Sequence, residues 1–206
     1  MKNHFLINFI YTLFAILITN CQSSPTNTKE NKDLSRPKHQ DSVPANRSAT
    51  QIADTNYKGI MMIEEQPVLA ILDSATPQNA ATVMQKNYDK ILKDAEYLNV
   101  PMAEQPGCIF YSSSPEKIVF ETFMFLKSKP VKQPKYSQPV ILEKTLGLLY
   151  DHYGTFNTIH RSYTNIQNIM REIGYKQIGP SREIYVLADD TAKWRTRIII
   201  PVVKEK

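Results

Sequence analysis

The sequence predicts an α+β domain made of two copies of a strand-helix-strand-strand module. The copies are related by a pseudo-twofold axis, and one antiparallel sheet carries two helices on one face. Three observations lead there. The segment IEEQPVLAILD from Ile63 aligns without a gap on ILEKTLGLLYD from Ile141, and IFYSSSPEKIVFETFMFL from Ile109 lies over EIYVLADDTAKWRTRIII from Glu183. Between the matched pieces, each half holds one run of helical periodicity. Each half then closes on two apolar runs joined by a polar turn, SSSPEK in one and ADDTAK in the other, which is the pattern of a hairpin.

Taken in chain order, the stretch from Ile63 supplies the first strand of the first module. Thr76-Pro77 reads as an N-cap followed by proline at the first helical position. Ala80, Met84, Tyr88, Ile91, Ala95 and Leu98 recur at three- and four-residue steps, and Asn99 with Pro101 ends the helix. In the hairpins, Tyr111 matches Tyr185, Phe120 matches Trp194 and Thr122 matches Thr196. KSKPVKQPKYSQP, stiffened by Pro130, Pro134 and Pro139, reads as a linker between the modules. The second module repeats the order: Gly154 permits the turn from strand to helix, Ile159, Tyr163, Ile166, Met170 and Ile173 form the apolar stripe, and Gly174 suits a left-handed C-cap. Both stripes read as core, with no function attached. Two linked modules leave a groove between them, and such junctions favour ligand sites.

The N-terminal region reads differently. Lys2 precedes an apolar run from Phe5 to Ile18, and LITNC ends at Cys21. The run is short for a membrane span and polar sequence follows at once, so residues 1–20 read as a secretory signal. LITNC resembles a bacterial lipoprotein processing box, with Cys21 lipidated, although Asn20 departs from the small residue usual there. The competing reading is an uncleaved anchor helix. Both place the protein at the cell envelope as a membrane-anchored chain, on the outer membrane or facing the periplasm. Residues 21–56 are rich in Ser, Thr, Asn, Pro, Lys and Gln and poor in large apolar groups, the composition of a disordered membrane tether. Residues 57–206 then form one domain, with modules at 60–128 and 140–203.

Charge and composition exclude several function classes. The whole chain carries 25 Lys+Arg against 20 Asp+Glu, but the domain from Tyr57 onward carries only 19 against 16. No block of basic residues occurs there, so nucleic-acid binding is not expected. Cys108 has no intrachain partner once Cys21 is acylated, and reads as a small buried strand residue. His152 and His160 lack metal-ligand spacing, and Asp189-Asp190 reads as a turn pair, so neither a metal nor another cofactor is expected. Among 6 glycines there is no phosphate-binding loop and no nucleophile elbow.

One residue stands out. In GPSREIYVLAD, strand alternation puts Glu183, Tyr185 and Leu187 on one face and Arg182, Ile184 and Val186 on the other. Glu183 is either half of an exposed cross-strand ion pair with Arg195 or Arg197, or a deliberately placed charge. Spacing alone favours the ion pair.

The residues around it shift that balance. HYGTF, SYTNIQNIMREIGYKQIGPSREIYVL and RTRIIIPV in the second half, with PGCIFYSSSPE in the first, resemble the GyrI-like small-molecule-binding family, the effector-binding domain of AraC-type and multidrug-responsive regulators. The resemblance spans essentially Ile60 to Val203. It implies the duplicated fold and a groove for hydrophobic, often cationic, aromatic compounds. It also implies a ligand-binding glutamate at Glu183, with Tyr185 and Tyr111 among the aromatic residues lining the groove; Trp194 is expected beside them. Family regulators carry a DNA-binding domain ahead of this module, where this chain has the export signal and tether, so a transcriptional role and inhibition of cytoplasmic gyrase are not expected. Some relatives are hydrolases that open electrophilic rings in xenobiotics, which here implies Glu183 as general base with Tyr185 or Tyr111 as proton donor. A third reading is a structural envelope lipoprotein with a vestigial groove and a protein partner.

Overall fold

The structure is a computed structural model that describes residues 54–128, 130, 132–186 and 194–205. The segments expected to be a signal and a tether, up to residue 53 and including Cys21, and the Asp189-Asp190 pair expected in a turn lie outside the described residues.

Among the described residues, nine strands and two helices follow in the order β1 (Tyr57–Ile63), β2 (Gln66–Ala75), α1 (Ala80–Leu98), β3 (Met102–Ser113), β4 (Ile118–Leu126), β5 (Gln138–Leu142), β6 (Thr145–Tyr153), α2 (Ile159–Ile173), β7 (Tyr175–Gln177), β8 (Ser181–Val186) and β9 (Arg195–Lys204). A single 3-10 turn, Phe156–Thr158, leads into α2. The sheet order is β1-β6-β9-β8-β3-β4-β2-β5, with β7 paired to β9, and every pairing is antiparallel.

This order makes the duplication explicit. Each module contributes a strand, a helix and two further strands: β2-α1-β3-β4 and β6-α2-β8-β9. A further strand, not expected from the sequence, precedes each module. These strands are exchanged: β1 pairs with β6 of the second module and β5 pairs with β2 of the first. The linker between the modules is therefore partly strand. It is also fixed to α1, because Asp94 accepts hydrogen bonds from the backbone N–H groups of Lys135, Tyr136 and Ser137 and from the Ser137 hydroxyl. Burial pushes the Asp94 carboxyl up, yet these bonds hold it below the ordinary value.

Helix ends follow local chemistry. Asn99, at φ 52°, and Gly174, at φ 71°, both take the left-handed conformation that ends α1 and α2. The start of α1 differs from expectation. Thr76-Pro77 forms a turn closed by the Asn79 N–H to the Thr76 carbonyl, and the helix begins at Ala80 with Asn79 as N-cap. Proline fixes φ but supplies no donor, so it suits the turn equally well.

The predicted stripes are core. Ala80, Met84, Tyr88, Ile91, Ala95 and Leu98 all pack onto Leu69, Cys108, Phe120 and Met124 beneath α1. Ile166 and Met170, flanked by Ile159, Tyr163 and Ile173, do the same beneath α2 on Leu148, Tyr150, Ile198 and Ile200. Among the described residues no helix covers the opposite face, yet Val68, Ala70, Ile109, Phe123 and Phe125 are buried there. The sheet is strongly curled into a half-barrel.

Candidate functional site

The central pair of strands in this order is β3 and β8, where Cys108 lies directly opposite Glu183. Direct cross-strand partners share a face. Cys108 belongs to the core under α1, so Glu183 lies on the helix-covered face, at the junction of the two modules. It is 5% exposed. The junction is closed over the carboxyl.

Two hydroxyls hold it. Tyr163 of α2 donates to Glu183 Oε1 at 2.7 Å, and Tyr185, two residues along β8, donates to Oε2 at 3.1 Å. Tyr163 also reaches the Ser181 hydroxyl at 3.2 Å. From the other module, Tyr88 of α1 donates to the Gly107 carbonyl beside Cys108 at 2.8 Å. Phe156 meets the Tyr185 ring edge-on, with centroids 5.3 Å apart. Burial raises the Tyr163, Tyr185 and Tyr88 hydroxyls and the Cys108 thiol above their ordinary values, so all four stay protonated at neutral pH. Burial also pushes Glu183 up, to about 7, against the opposing effect of the Tyr163 and Tyr185 hydrogen bonds.

The ion-pair alternative from the sequence does not hold. Arg197 lies opposite Ile184 in the β8–β9 register, and so on the other face from Glu183. It makes a two-point contact with Asp151, at 2.9 and 3.1 Å, and Arg195 approaches the same carboxylate at 3.5 Å. Arg182, adjacent in sequence, also points to that face, towards the Glu143 carbonyl. Among the described residues, no cation contacts Glu183.

Of the residues singled out from sequence, the structure brings together Glu183 and Tyr185. Trp194 is 3% exposed and stands two residues before Thr196, the partner of Tyr185. Its carbonyl accepts from the Gly154 N–H, and Gly154 adopts φ +105°, as its place in the turn requires. Tyr111 is elsewhere. It is 50% exposed and donates to Glu121, which pairs with Ile109 on the face away from the helices. The cause is register: Cys108 and Phe110 face the helix-covered core, so strand alternation turns Ile109 and Tyr111 to the other face, although they align in sequence with Glu183 and Tyr185. Phe110, which packs in the same core cluster as Tyr185, is the residue that faces the site.

Sequence reasoning placed Tyr88 and Tyr163 in the core stripes and gave them no further role. The available signal was the repeat itself. Aligned on Ile91 and Ile166, the two helices also superpose Tyr88 on Tyr163, Leu98 on Ile173 and the left-handed caps Asn99 on Gly174. A polar-tipped ring repeated at one position of both stripes is a sign that its hydroxyl has a partner at the junction.

The arrangement is a sheltered carboxyl ringed by aromatic side chains, able to accept a cation or a proton. Comparison with known proteins agrees with the fold. The model of the GyrI-like small molecule binding domain matches residues 60–203. Among solved structures, the EcmrR C-terminal domain is 14% identical with a TM-score of 0.63, covering 72% of this chain and 98% of its own. A hydrolase from Listeria innocua is 13% identical at a TM-score of 0.55, covering 70% and 91%. SAV2435 bound to tetraphenylphosphonium is 13% identical at 0.51, covering 71% and 93%. No significant match is found among curated protein sequences.

Proposed function

The chain belongs to the GyrI-like small molecule binding domain family, and from that premise we propose that it captures hydrophobic, cationic aromatic molecules at the junction of its two modules. One observation carries the reading: Glu183 is buried against aromatic side chains with hydroxyl partners and, among the described residues, no cation. An ionised carboxylate taken from water costs several kcal/mol unless paired. A lipophilic cation relieves that cost. Each suitably placed aromatic face adds roughly 0.5 to 2 kcal/mol, and apolar contact adds about 25 cal/mol per Å² buried. Few hydrogen bonds fix orientation, so selectivity among flat cations is low. The tetraphenylphosphonium held by the structurally similar SAV2435 is a cation of this kind.

The test is titration of a cationic dye, read by emission of Trp194, the single tryptophan of the chain. Glu183→Gln is expected to weaken binding while leaving the fold intact. Equal affinity in the two proteins removes Glu183 from the site, and failure of a broad panel of aromatic compounds to bind leaves the structural-lipoprotein reading.

A second reading, hydrolysis of electrophilic ring compounds, is favoured by the carboxyl pushed up to about 7. Such a group suits a general base at neutral pH, and the Tyr163 and Tyr185 hydroxyls are placed as proton donors. Product detected by mass spectrometry, and lost in Glu183→Gln, supports turnover; ligand recovered intact after long incubation opposes it. The envelope location belongs to the same proposal and rests on the apolar run and Cys21. Cys21→Ser is expected to move the protein from the membrane to the soluble fraction.

A further inference from the structure

On α1, the side-chain oxygen of Gln85 is the buried side-chain atom that lacks a hydrogen-bond partner among the described residues. Gln85 is 7% exposed. Its amide nitrogen donates to Asp89 Oδ1 at 3.0 Å, one turn further on. A carboxylate only accepts, so the nitrogen must face Asp89 and the oxygen must be the end left over. A neutral buried acceptor without a partner is costly, and in a native fold it calls for an explanation.

Its position on the helix gives one. Helix α1 packs over β2 and β4. One flank faces outward: Asn87 bonds Asp73 on β2, and Asp94 clamps the segment leading to β5. At about 100° per residue, Gln85 stands about half a turn around the helix from Asp94, on the flank turned towards β3, β8 and the second module. Tyr88, one turn along from Gln85, lies close enough to Glu183 for that carboxylate to raise its hydroxyl further. Phe156, from the turn before α2, packs against the cluster under α1. Helical geometry therefore turns the buried Gln85 to the flank nearer the module junction that holds Glu183.

We infer that Gln85 selects among cations: the Glu183 carboxylate takes the ligand's charge and Gln85 Oε1 accepts an N–H from it, so the preferred class is a protonated aryl-alkyl amine or amidine. The inference rests on the cation-capture reading of Glu183 and narrows it. A cation without N–H groups satisfies Glu183 and leaves the Gln85 oxygen bare. One carrying an ammonium or amidinium satisfies both.

The experiment compares 2-naphthylmethylammonium with its N,N,N-trimethyl counterpart, which has the same ring and charge but no N–H donor. Both are titrated into the full chain, into Gln85→Leu and Gln85→Met, and into Glu183→Gln. Both Gln85 variants are expected to weaken the primary ammonium about five-fold, the scale of one hydrogen bond, and to leave the trimethylated cation unchanged. The same variants should differ little in heat stability from the parent when ligand-free, because removing the orphaned acceptor offsets the loss of the Gln85–Asp89 hydrogen bond. Glu183→Gln is expected to weaken both cations. Equal affinity of the primary ammonium for the parent and both Gln85 variants overturns this inference alone, provided that Glu183→Gln still matters. If neither cation binds the parent protein, the reading of Glu183 falls and this inference falls with it.

Discussion

Replacing Glu183 by glutamine tests the burial of its carboxyl through stability alone, with no ligand needed. The carboxyl is raised from 4.5 to about 7, chiefly by burial. At about 1.4 kcal/mol per pH unit, that displacement corresponds to roughly 3 kcal/mol. The sign follows from the direction. An acid whose folded value lies above its unfolded value favours folding fully below pH 4.5, and that contribution is lost as pH rises to about 7. Glutamine keeps a carbonyl that accepts from Tyr163 and carries no charge, so it does not follow this slope. The stability of Glu183→Gln minus that of the parent should therefore grow by about 3 kcal/mol between pH 4 and pH 8. Urea unfolding at half-unit pH steps reads it as a rise of between about 1 and 3 M in the variant's midpoint relative to the parent. Only the difference between the two proteins matters, because other titrating groups are common to both. Tyr163→Phe removes a donor that lowers the carboxyl's value, and so should move the upper end of the window above that of the parent. Parallel pH profiles for parent and Glu183→Gln would refute the buried carboxyl and with it the electrostatic case for a cation.

Three further outcomes are expected. Tyr111→Phe should leave cation affinity within experimental error, since that ring lies across the sheet with Glu121; a clear loss in dye titration would place it back at the site. Asp94→Ala removes an acceptor serving three backbone N–H groups and a hydroxyl, and should destabilise the domain by about 2–4 kcal/mol in urea unfolding. Because the Asp94 carboxyl is held below its ordinary value of 3.8, its contribution is present above that pH and is lost below it. Gly107→Ala places a Cβ 2.2 Å from Phe123 and 2.8 Å from the Glu183 carbonyl oxygen. It should cost about 1–3 kcal/mol and, by pushing β8 away, weaken ligand binding as well.

The modules, their helices and their hairpins were legible in the sequence because each rests on local periodicity repeated twice. Ile91 and Ile166 fall where a period of 3.6 puts them, and Asn99 and Gly174 end their helices because each tolerates a positive φ. Glu183 and Tyr185 share a face because strand side chains alternate. Other features depend on residues far apart in the chain. The exchange of β1 and β5 between modules is a pairing choice, and local sequence carries no record of which strand lies next to which. Cys108, and not the aligned Ile109, is set opposite Glu183, so a gapless alignment of Tyr111 with Tyr185 conceals a change of face. The assignment of Arg197 to Asp151 rather than to Glu183 follows from the register of three strands. The sequence by itself thus determined the two helices and the strands of each repeated module, and that a carboxylate and a tyrosine lie side by side on one strand. Only the tertiary structure decided that this carboxylate is buried between two modules, bonded by a tyrosine from a helix and faced by no cation among the described residues. Burial and charge pairing arise from packing between distant segments, and the local pattern that shapes each element does not encode them.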